Sequence, residues 1–240
     1  MKALIPAHQA LPICLDSIAA ITFDAAGTLI EPYPSVGEVY AEELALLGYP
    51  LDSNLLETRF RASFKALKTN RPGAVLDRVS WREIVSGTLD GLTPAETFDS
   101  QFDALWNSFA QAKRWRILPG AEAALQKLQA RGLRLFVLSN NDARLHGVID
   151  GLGLAGYFEQ VFVSEQFGVE KPNPEIFHRV REVIGAPTDA ILHVGDSPAE
   201  DIEGALNAGW RAALVGPKAS VAEFPTAIIR AANIEELFAE

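Results

Sequence analysis

Three apolar segments of the chain each end in residues that could do chemistry. Asp24, the pair Ser139 and Asn140, and Asp196 come directly after these segments, which predict short buried strands. Ligands of open α/β sheets bind beyond the carboxyl ends of parallel strands, so neighbouring strands would bring these side chains to one edge. A carboxylate there could act as a nucleophile or hold a metal ion. One such ending is also typical of a helix cap, but three together favour a functional site.

A turn and a loop add two more candidates. Gly27 tolerates the backbone angles of a sharp turn after the first segment, and Thr28 then offers a hydroxyl and a backbone N–H to a ligand. Lys171 lies in a loop just before a predicted helix, where a lysine is ordinarily a solvated charge. Pro172 and Pro174 restrict the backbone around it, which favours a fixed position for its ammonium group.

The order of the predicted elements indicates what would position these residues. After residue 116 strands alternate with helices, which predicts an α/β core with a parallel sheet and helices on both faces. Residues 35–116 instead show the apolar spacing of about four helices and contain no convincing strand. We therefore predict a core of residues 1–34 and 117–240 and an all-helical insertion of residues 35–116, whose two ends lie close together.

Composition and charge exclude several classes of protein. The 240 residues carry a net charge of −10, which argues against binding to nucleic acid or anionic membranes but not against a small anionic substrate. The single cysteine excludes an intramolecular disulfide, and no apolar run reaches the ~18 residues of a membrane span. Pro6 and Pro12 interrupt the N-terminal segment, so we predict no signal peptide and a cytoplasmic location. Residues 1 to 18 lack a clear period, and nothing in the sequence indicates an oligomeric state.

Four segments, in this order, resemble the motifs of the haloacid dehalogenase (HAD) superfamily of hydrolases. They are residues 23–29 (FDAAGTL), 138–140 (LSN), 171–177 (KPNPEIF) and 193–201 (HVGDSPAED). Each motif is short, but all four in order, with a helical segment after the first, are specific. The resemblance implies a Rossmann-like core, a helical cap formed by the insertion, a bound Mg²⁺ ion and a small phosphorylated or otherwise anionic substrate.

The resemblance also implies roles for the residues that match the motifs. Asp24 would be the nucleophile and form an aspartyl-phosphate, which divides one difficult step into two. Asp24, the backbone carbonyl of Ala26, and Asp196 would hold the Mg²⁺ ion, which prefers hard oxygen ligands. Asp201 would lie behind these ligands or serve as a further one.

Other matching residues would form the anion-binding side of the site. Ser139, the backbone of Asn140 that follows it, and Lys171 would bind the phosphoryl oxygens, and Thr28 is a further candidate. Lys171 would also balance the charge of Asp24. Phosphoryl transfer requires such groups because the charge on the transferred group must be compensated.

Ala26 is where the chain departs from the family pattern. Most phosphatases of the superfamily have a second Asp two residues after the nucleophile, which protonates the leaving group and then activates water. General acid–base catalysis of this kind is worth about 10²–10⁴-fold in rate, and the methyl group of Ala26 cannot supply it. The pattern without this Asp also occurs in a little-characterised, hydrolase-like subgroup, to which the chain is similar.

This departure leaves four hypotheses. The first, which we prefer, is a Mg²⁺-dependent phosphatase for good leaving groups, or one whose acid comes from the cap or the substrate. The second is carbon–phosphorus cleavage, because phosphonoacetaldehyde hydrolases also have Ala here. They need a cap lysine, and the candidates Lys65 and Lys68 are both predicted to be solvated. The third is a haloacid dehalogenase, although these carry Tyr at this position and no metal-type fourth motif. The fourth is a binding protein that keeps the fold without catalysis.

Aromatic and histidine side chains elsewhere have simpler explanations. Core positions are expected for Trp81, Trp106 and Trp115, although one that faced the cap–core cleft would bear on substrate choice. Histidines without metal-ligand spacing are expected to be structural, and these are His146, His178 and His193.

Overall fold

A parallel sheet forms the centre of the computed structural model, which describes residues 15–220 and 229–238. The strands of the described residues are β1 (Ala20–Phe23), β2 (Ile30–Pro32), β3 (Trp115–Ile117), β4 (Arg134–Ser139), β5 (Gln160–Val163), β6 (Ile191–Gly195), β7 (Arg211–Val215) and β8 (Ile229–Ala231). Six of them form one sheet in the order β5–β4–β1–β6–β7–β8, and every neighbouring pair is parallel. The predicted parallel sheet is confirmed, and β8 is an edge strand that sequence analysis did not predict.

Helices of two groups accompany this sheet. Those of the core are α5 (Ala121–Ala130), α6 (Arg144–Gly151), α7 (Ser164–Phe167), α8 (Pro174–Ile184), a π-helical turn (Pro198–Glu203), α9 (Gly204–Asn207) and α10 (Ile234–Leu237). Those of the insertion are α1 (Val36–Leu46), α2 (Ser53–Asn70), α3 (Arg78–Leu89) and α4 (Phe98–Phe109). Among these described helices, none has both the length and the apolar character needed to cross a bilayer. The expectation for residues 1 to 18 falls largely outside the described residues, of which Leu15–Ser17 form a 3₁₀ turn.

Both faces of the sheet are apolar and covered. Ile21 and Phe23 of β1 pack with residues of α5, α6 and α10 in one buried cluster. Ala20 of β1 packs with Phe136 and Leu138 of β4 and with residues of α8 and α9 in another. Successive side chains of a strand point to opposite faces, so a strand buried on both faces requires helices on both sides. This is the α/β class that the sequence predicts.

A small antiparallel sheet joins the insertion to the core. Ile30 of β2 pairs with Ile117 of β3, and Pro32 pairs with Trp115. The ends of the insertion therefore lie side by side, as predicted. Residues 35–116 were expected to contain no strand, which is wrong for Trp115 and Arg116, because they belong to β3. Strands of three residues are too short for a periodic pattern, and their pairing joins distant parts of the chain.

The first two helices of the insertion approach each other at a glycine. A Cβ atom added to Gly37 of α1 would lie 2.1 Å from the backbone carbonyl oxygen of Ser53 and 2.8 Å from the backbone nitrogen of Glu57, both in α2. The amide of Gly37 also donates a hydrogen bond to Glu57 Oε2 at 2.7 Å. The orientation of α1 against α2 thus depends on the absence of a side chain at this position.

We expect Gly37→Ala to lower the free energy of unfolding by about 1–3 kcal/mol, because the added methyl group overpacks a backbone contact. The matched control is Gly147→Ala in α6, where an added Cβ meets no described atom within 4 Å. This control should gain up to about 1 kcal/mol from the higher helix propensity of alanine. Urea denaturation of both variants measures the difference, and equal shifts would contradict the close approach of α1 and α2.

Candidate active site

The carboxyl ends of β4, β1 and β6 lie side by side because these strands are neighbours in the sheet. A cavity of about 270 Å³ separates this edge from the insertion. Predicted site residues that line it are Asp24, Ala26, Ser139, Asn140, Asp196 and Asp201. Three segments more than 50 residues apart in the chain therefore meet at one cleft.

Lys171 lies beneath this cleft as a buried cation. Its Nζ atom is 2.9 Å from Asp24 Oδ1, 2.6 Å from Asp201 Oδ1 and 2.8 Å from the carbonyl oxygen of Leu138. These three acceptors match the three protons of an ammonium group. The side chain is only 1 % exposed, so its charge is tolerated because two carboxylates and a carbonyl replace water.

The loop that carries Lys171 is held by Asn140. The amide nitrogen of Lys171 donates to Asn140 Oδ1 at 2.8 Å, and Asn140 Nδ2 donates to the carbonyl oxygen of Lys171 at 2.8 Å. Both ends of the Asn140 side-chain amide are thus bonded to one residue. Sequence analysis expected the backbone of Asn140 at the phosphoryl group; its side chain has a separate role, because it positions the lysine.

Asp201 is held behind Asp24 by several donors. Besides the bond from Lys171, its carboxylate accepts from the backbone amide of Ser197 at 2.9 Å and lies 3.1 Å from His193 Nε2. The other ring nitrogen of His193 lies 2.7 Å from Thr22 Oγ1. His193 is fully buried, so the expected structural role fits its surroundings. Its contact with a site carboxylate is a feature that sequence analysis missed, although the residue lies within the fourth motif.

The two carboxylates on Lys171 have opposite pKa shifts. Burial raises the pKa of Asp24 to about 7, although Lys171 opposes this, and the charges of Asp201 and Asp196 add to the rise. Burial would also raise the pKa of Asp201, but Lys171 and His193 outweigh it and hold that pKa below the usual range. Burial lowers the pKa of Lys171, and the two carboxylates more than reverse this. Asp201 is therefore the main counter-ion of Lys171, and the ionised form of Asp24 is only partly compensated.

A divalent cation fits this charge distribution. Asp24, Asp196 and Asp201 each offer a carboxylate oxygen, and these atoms lie within 4.8 Å of one another. Two of the three carboxylates, those of Asp24 and Asp201, share the ammonium group of Lys171. The donors are hard oxygens, which Mg²⁺ prefers. At the turn, a Cβ atom on Gly27 would lie 2.9 Å from Asp196 Oδ1, so the glycine keeps the space beside this carboxylate open.

Three further predicted residues differ in their placement. Ser139 is buried at the end of β4 and lines the cleft. Ala26 is exposed at the cleft and presents only a methyl group. Thr28 is 2 % exposed, lies outside the residues that line the cleft, and its Oγ1 has no hydrogen-bond partner among the described residues. The structure thus gives no support to Thr28 as a substrate ligand, because the turn at Gly27 directs it into the core.

Lys68 enters the cleft from the insertion. Its Nζ atom lies 2.5 Å from Glu170 Oε1 and 3.8 Å from Glu200 Oε1, and the side chain is only 20 % exposed. The expectation of a solvated lysine is wrong for Lys68, because carboxylates of the core lie across the cleft from α2. The pattern of a single helix cannot reveal partners on another element. Lys65 is exposed, as expected.

Arg144, at the start of α6, connects the core to the insertion, and sequence analysis missed it. Its guanidinium group lies 3.4 Å from the ring centroid of Trp106 and donates to the carbonyl oxygen of that residue at 3.0 Å. It also forms two bonds to the carboxylate of Asp142, at 2.8 and 2.7 Å. A core arginine therefore packs on the insertion, and a lysine of the insertion binds the core. The position of Arg144 just after the second motif was the available signal.

The burial of Lys171 between two carboxylates has a measurable consequence. In metal-free buffer at pH 8, we expect Lys171→Met to lower the free energy of unfolding by about 3–5 kcal/mol, because buried charges lose their partner. Without the lysine the pKa values of Asp24 and Asp201 rise above those of the unfolded chain. The folded variant then binds more protons, so its stability falls as the pH rises, and the loss should be smaller at pH 5.

Two further variants test this explanation. Lys65→Met removes an exposed lysine of α2 and should change stability by no more than about 0.5 kcal/mol. Lys171→Met combined with Asp201→Asn should recover part of the loss, because one uncompensated charge is removed as well. A loss in Lys171→Met that is independent of pH between 5 and 8 would contradict the charge argument.

Comparison with known proteins agrees with this geometry. The family model described as haloacid dehalogenase-like hydrolase matches residues 18–209. Haloacid dehalogenase-like hydrolase domain-containing protein 3 from Homo sapiens is 33 % identical over 210 residues, which cover 84 % of each chain. A phosphoserine phosphatase from Thermus thermophilus is 36 % identical over 109 residues, 45 % of this chain and 43 % of that one. The crystal structure of a HAD phosphatase from Thermococcus onnurineus superposes with a TM-score of 0.63 and 20 % identity, covering 92 % of this chain and 96 % of that one. The chain belongs to the haloacid dehalogenase-like hydrolases.

Proposed function

We propose that this hydrolase is a Mg²⁺-dependent phosphatase that acts on a small phosphorylated compound through an aspartyl-phosphate on Asp24. The observation that carries the proposal is the carboxylate of Asp24, which lines the cleft and is oriented from below by Lys171. A carboxylate fixed in this way can attack a phosphorus atom without a conformational search. The relatives named as phosphatases support the same reaction class.

The reaction has two steps at this carboxylate. An oxygen of Asp24 forms a bond to phosphorus while the bond from phosphorus to the leaving oxygen breaks, and that oxygen departs with the electron pair. Water then hydrolyses the acyl phosphate, which releases inorganic phosphate and a proton and regenerates the carboxylate. Lys171 holds Asp24 in place and supplies positive charge next to the transferred group, and Ser139 offers a hydroxyl group at the end of β4.

Asp24, Asp196 and the carbonyl of Ala26 would hold the cation, with Asp201 behind them. Mg²⁺ supplies compensation of the phosphoryl charge when it is bound. Since the pKa of Asp24 is raised to about 7 without a cation, binding of one also favours the ionised form that the first step requires.

The leaving group must depart without help from residue 26. Ala26 faces the cleft where most phosphatases of the superfamily have an acid, and its methyl group cannot donate a proton. A substrate whose leaving group is stable as an anion is least affected by this loss. We therefore propose good leaving groups as the substrate class for which this chain is adapted.

One observation favours a second candidate, carbon–phosphorus cleavage. Lys68 lies in the cleft, where phosphonoacetaldehyde hydrolases need a lysine that forms a Schiff base. However, formation of a Schiff base would have to break the 2.5 Å bond between Lys68 and Glu170. The phosphatase needs no such change, and it remains the proposal.

Restoring the missing acid tests the phosphatase. We expect Ala26→Asp to raise kcat/KM for an alkyl phosphomonoester at least about tenfold in the presence of Mg²⁺, because general acid catalysis adds 10²–10⁴-fold where its geometry is good. The matched control Ala62→Asp adds a carboxylate to an exposed position of α2 and should have no such effect. Asp24→Asn should abolish turnover in both backgrounds.

Each outcome of that experiment decides one point. No gain in a folded Ala26→Asp variant that binds Mg²⁺ would contradict the argument from the missing acid. Turnover that persists in Asp24→Asn would show that Asp24 is not the nucleophile. If the unmodified protein hydrolyses neither acyl nor aryl phosphates with Mg²⁺ bound, the proposed phosphatase is wrong, and carbon–phosphorus cleavage or a binding protein with a hydrolase fold is left.

Borohydride trapping tests the second candidate. With phosphonoacetaldehyde and sodium borohydride we expect no covalent adduct on Lys68, because its ammonium group is bonded to Glu170. Mass spectrometry of tryptic peptides provides the measurement, with Lys68→Arg and the exposed Lys65→Arg as matched variants. An adduct that disappears only in Lys68→Arg would favour carbon–phosphorus cleavage over the phosphatase.

A further inference from the structure

The wall of the cleft opposite the carboxylates is aromatic. Its rings are half-buried, in contrast to Phe102 and Tyr40, which border the same cavity but are almost fully buried. We call this surface the aromatic wall; it consists of Phe60, Phe64, Trp81, Phe109 and Trp115. Trp106 also borders the cavity, but its ring is stacked against Arg144. All of them come from the insertion or from β3. The wall packs against the apolar core of the insertion through all its rings except that of Trp115, which packs against the core of the sheet.

The rings of the aromatic wall contact one another. The ring centroids of Phe60 and Phe64 are 6.0 Å apart, and those of Phe64 and Trp81 are 6.1 Å apart, in tilted arrangements. Phe109 and Trp115 meet edge to face at 6.3 Å. Such contacts hold the rings in place, so the wall is preformed for another flat ring.

The size of the cavity limits what can bind. Benzene fits an apolar cavity of roughly 150 Å³, and sites for drug-sized ligands begin at roughly 300 Å³. The cleft, at about 270 Å³, lies between these values. It has room for a phosphoryl group at Asp24 together with a body of one or two rings.

We propose that the substrate is an aryl phosphate, the phosphate ester of a phenol with one or two rings, whose ring packs on the aromatic wall. This inference rests on the proposed phosphatase and adds the identity of the leaving group. Phenols ionise near pH 10, as tyrosine does, whereas water ionises only near 15.7. When the bond between phosphorus and the aryl oxygen breaks, a phenolate can leave with the electron pair and take its proton from water afterwards. The aromatic wall and Ala26 thus favour the same substrate for independent reasons.

Steady-state kinetics with two aryl phosphate esters and one acyl phosphate tests the inference. We compare 2-naphthyl phosphate, phenyl phosphate and acetyl phosphate with Mg²⁺. Acetate is the best leaving group of the three but has no ring. We expect kcat/KM to be at least about tenfold higher for 2-naphthyl phosphate than for acetyl phosphate, because contact with the wall more than offsets the poorer leaving group.

Substitution of Phe64 connects that preference to the wall. Phe64→Ala should lower the ratio of the two kcat/KM values about tenfold, mainly through KM for the naphthyl ester. Phe64→Leu keeps most of the apolar volume, should remain folded, and should lower the ratio in the same direction. The control is Leu55→Ala, an exposed residue of the same helix outside the cleft, which should leave the ratio unchanged.

The outcomes separate the two proposals. The inference is wrong if acetyl phosphate is hydrolysed with a kcat/KM equal to or higher than that of both aryl esters. It is also wrong if neither Phe64 variant changes the ratio of kcat/KM for 2-naphthyl phosphate to that for acetyl phosphate. Either result would leave the proposed phosphatase activity intact. If none of the three compounds is hydrolysed with Mg²⁺ bound, the proposed phosphatase activity is wrong. Calorimetric titration of Asp24→Asn then tests whether the aromatic wall binds an aryl ring. If 2-naphthyl phosphate binds no more tightly than inorganic phosphate, the inference is wrong.

Discussion

The site depends on one buried ammonium group shared by two carboxylates. Nζ of Lys171 is bonded to Asp24, Asp201 and a backbone carbonyl, with almost no access to water. A buried lysine is tolerable only when such partners replace its hydration. Its position requires β4, β1 and β6 to be neighbours, and it requires Asn140 to bind the backbone of the lysine at both ends. The order of the strands and the local loop are therefore constraints on the chemistry as well as on the fold.

The two carboxylates bonded to Lys171, those of Asp24 and Asp201, have opposite pKa shifts. Asp201 accepts additional bonds from a backbone amide and lies next to His193, so it stays ionised. Asp24 faces the cleft, and burial raises its pKa toward neutrality. The carboxylate whose ionised form is only partly compensated thus lies on the side where a cation and a substrate would bind. The charge of the third carboxylate, Asp196, also contributes to the raised pKa of Asp24.

The core and the insertion contribute different things to one cavity. The core supplies charge, and the insertion supplies aromatic rings and Lys68. Two reciprocal contacts connect them: Lys68 binds Glu170 of the core, and Arg144 of the core packs on Trp106 of the insertion. The two short strands β2 and β3 hold the ends of the insertion together beneath these contacts. The shape of the cleft therefore depends on side chains from both parts, which explains why neither part alone indicates the substrate.

The sequence by itself determined the parallel α/β core, the helical insertion, the carboxylates at the strand ends and the lysine in the loop before α8, because alternating hydrophobicity and ordered motifs are local or near-local patterns. Tertiary structure decided what such patterns cannot contain. It placed Lys68 opposite Glu170 across the cleft, turned Thr28 into the core, and bound the side chain of Asn140 to the backbone of Lys171. It also left the aromatic rings half-buried, although their spacing predicted a core. Each of these depends on contacts between elements distant in the chain, and such contacts exist only once the sheet order and the packing of the insertion are fixed.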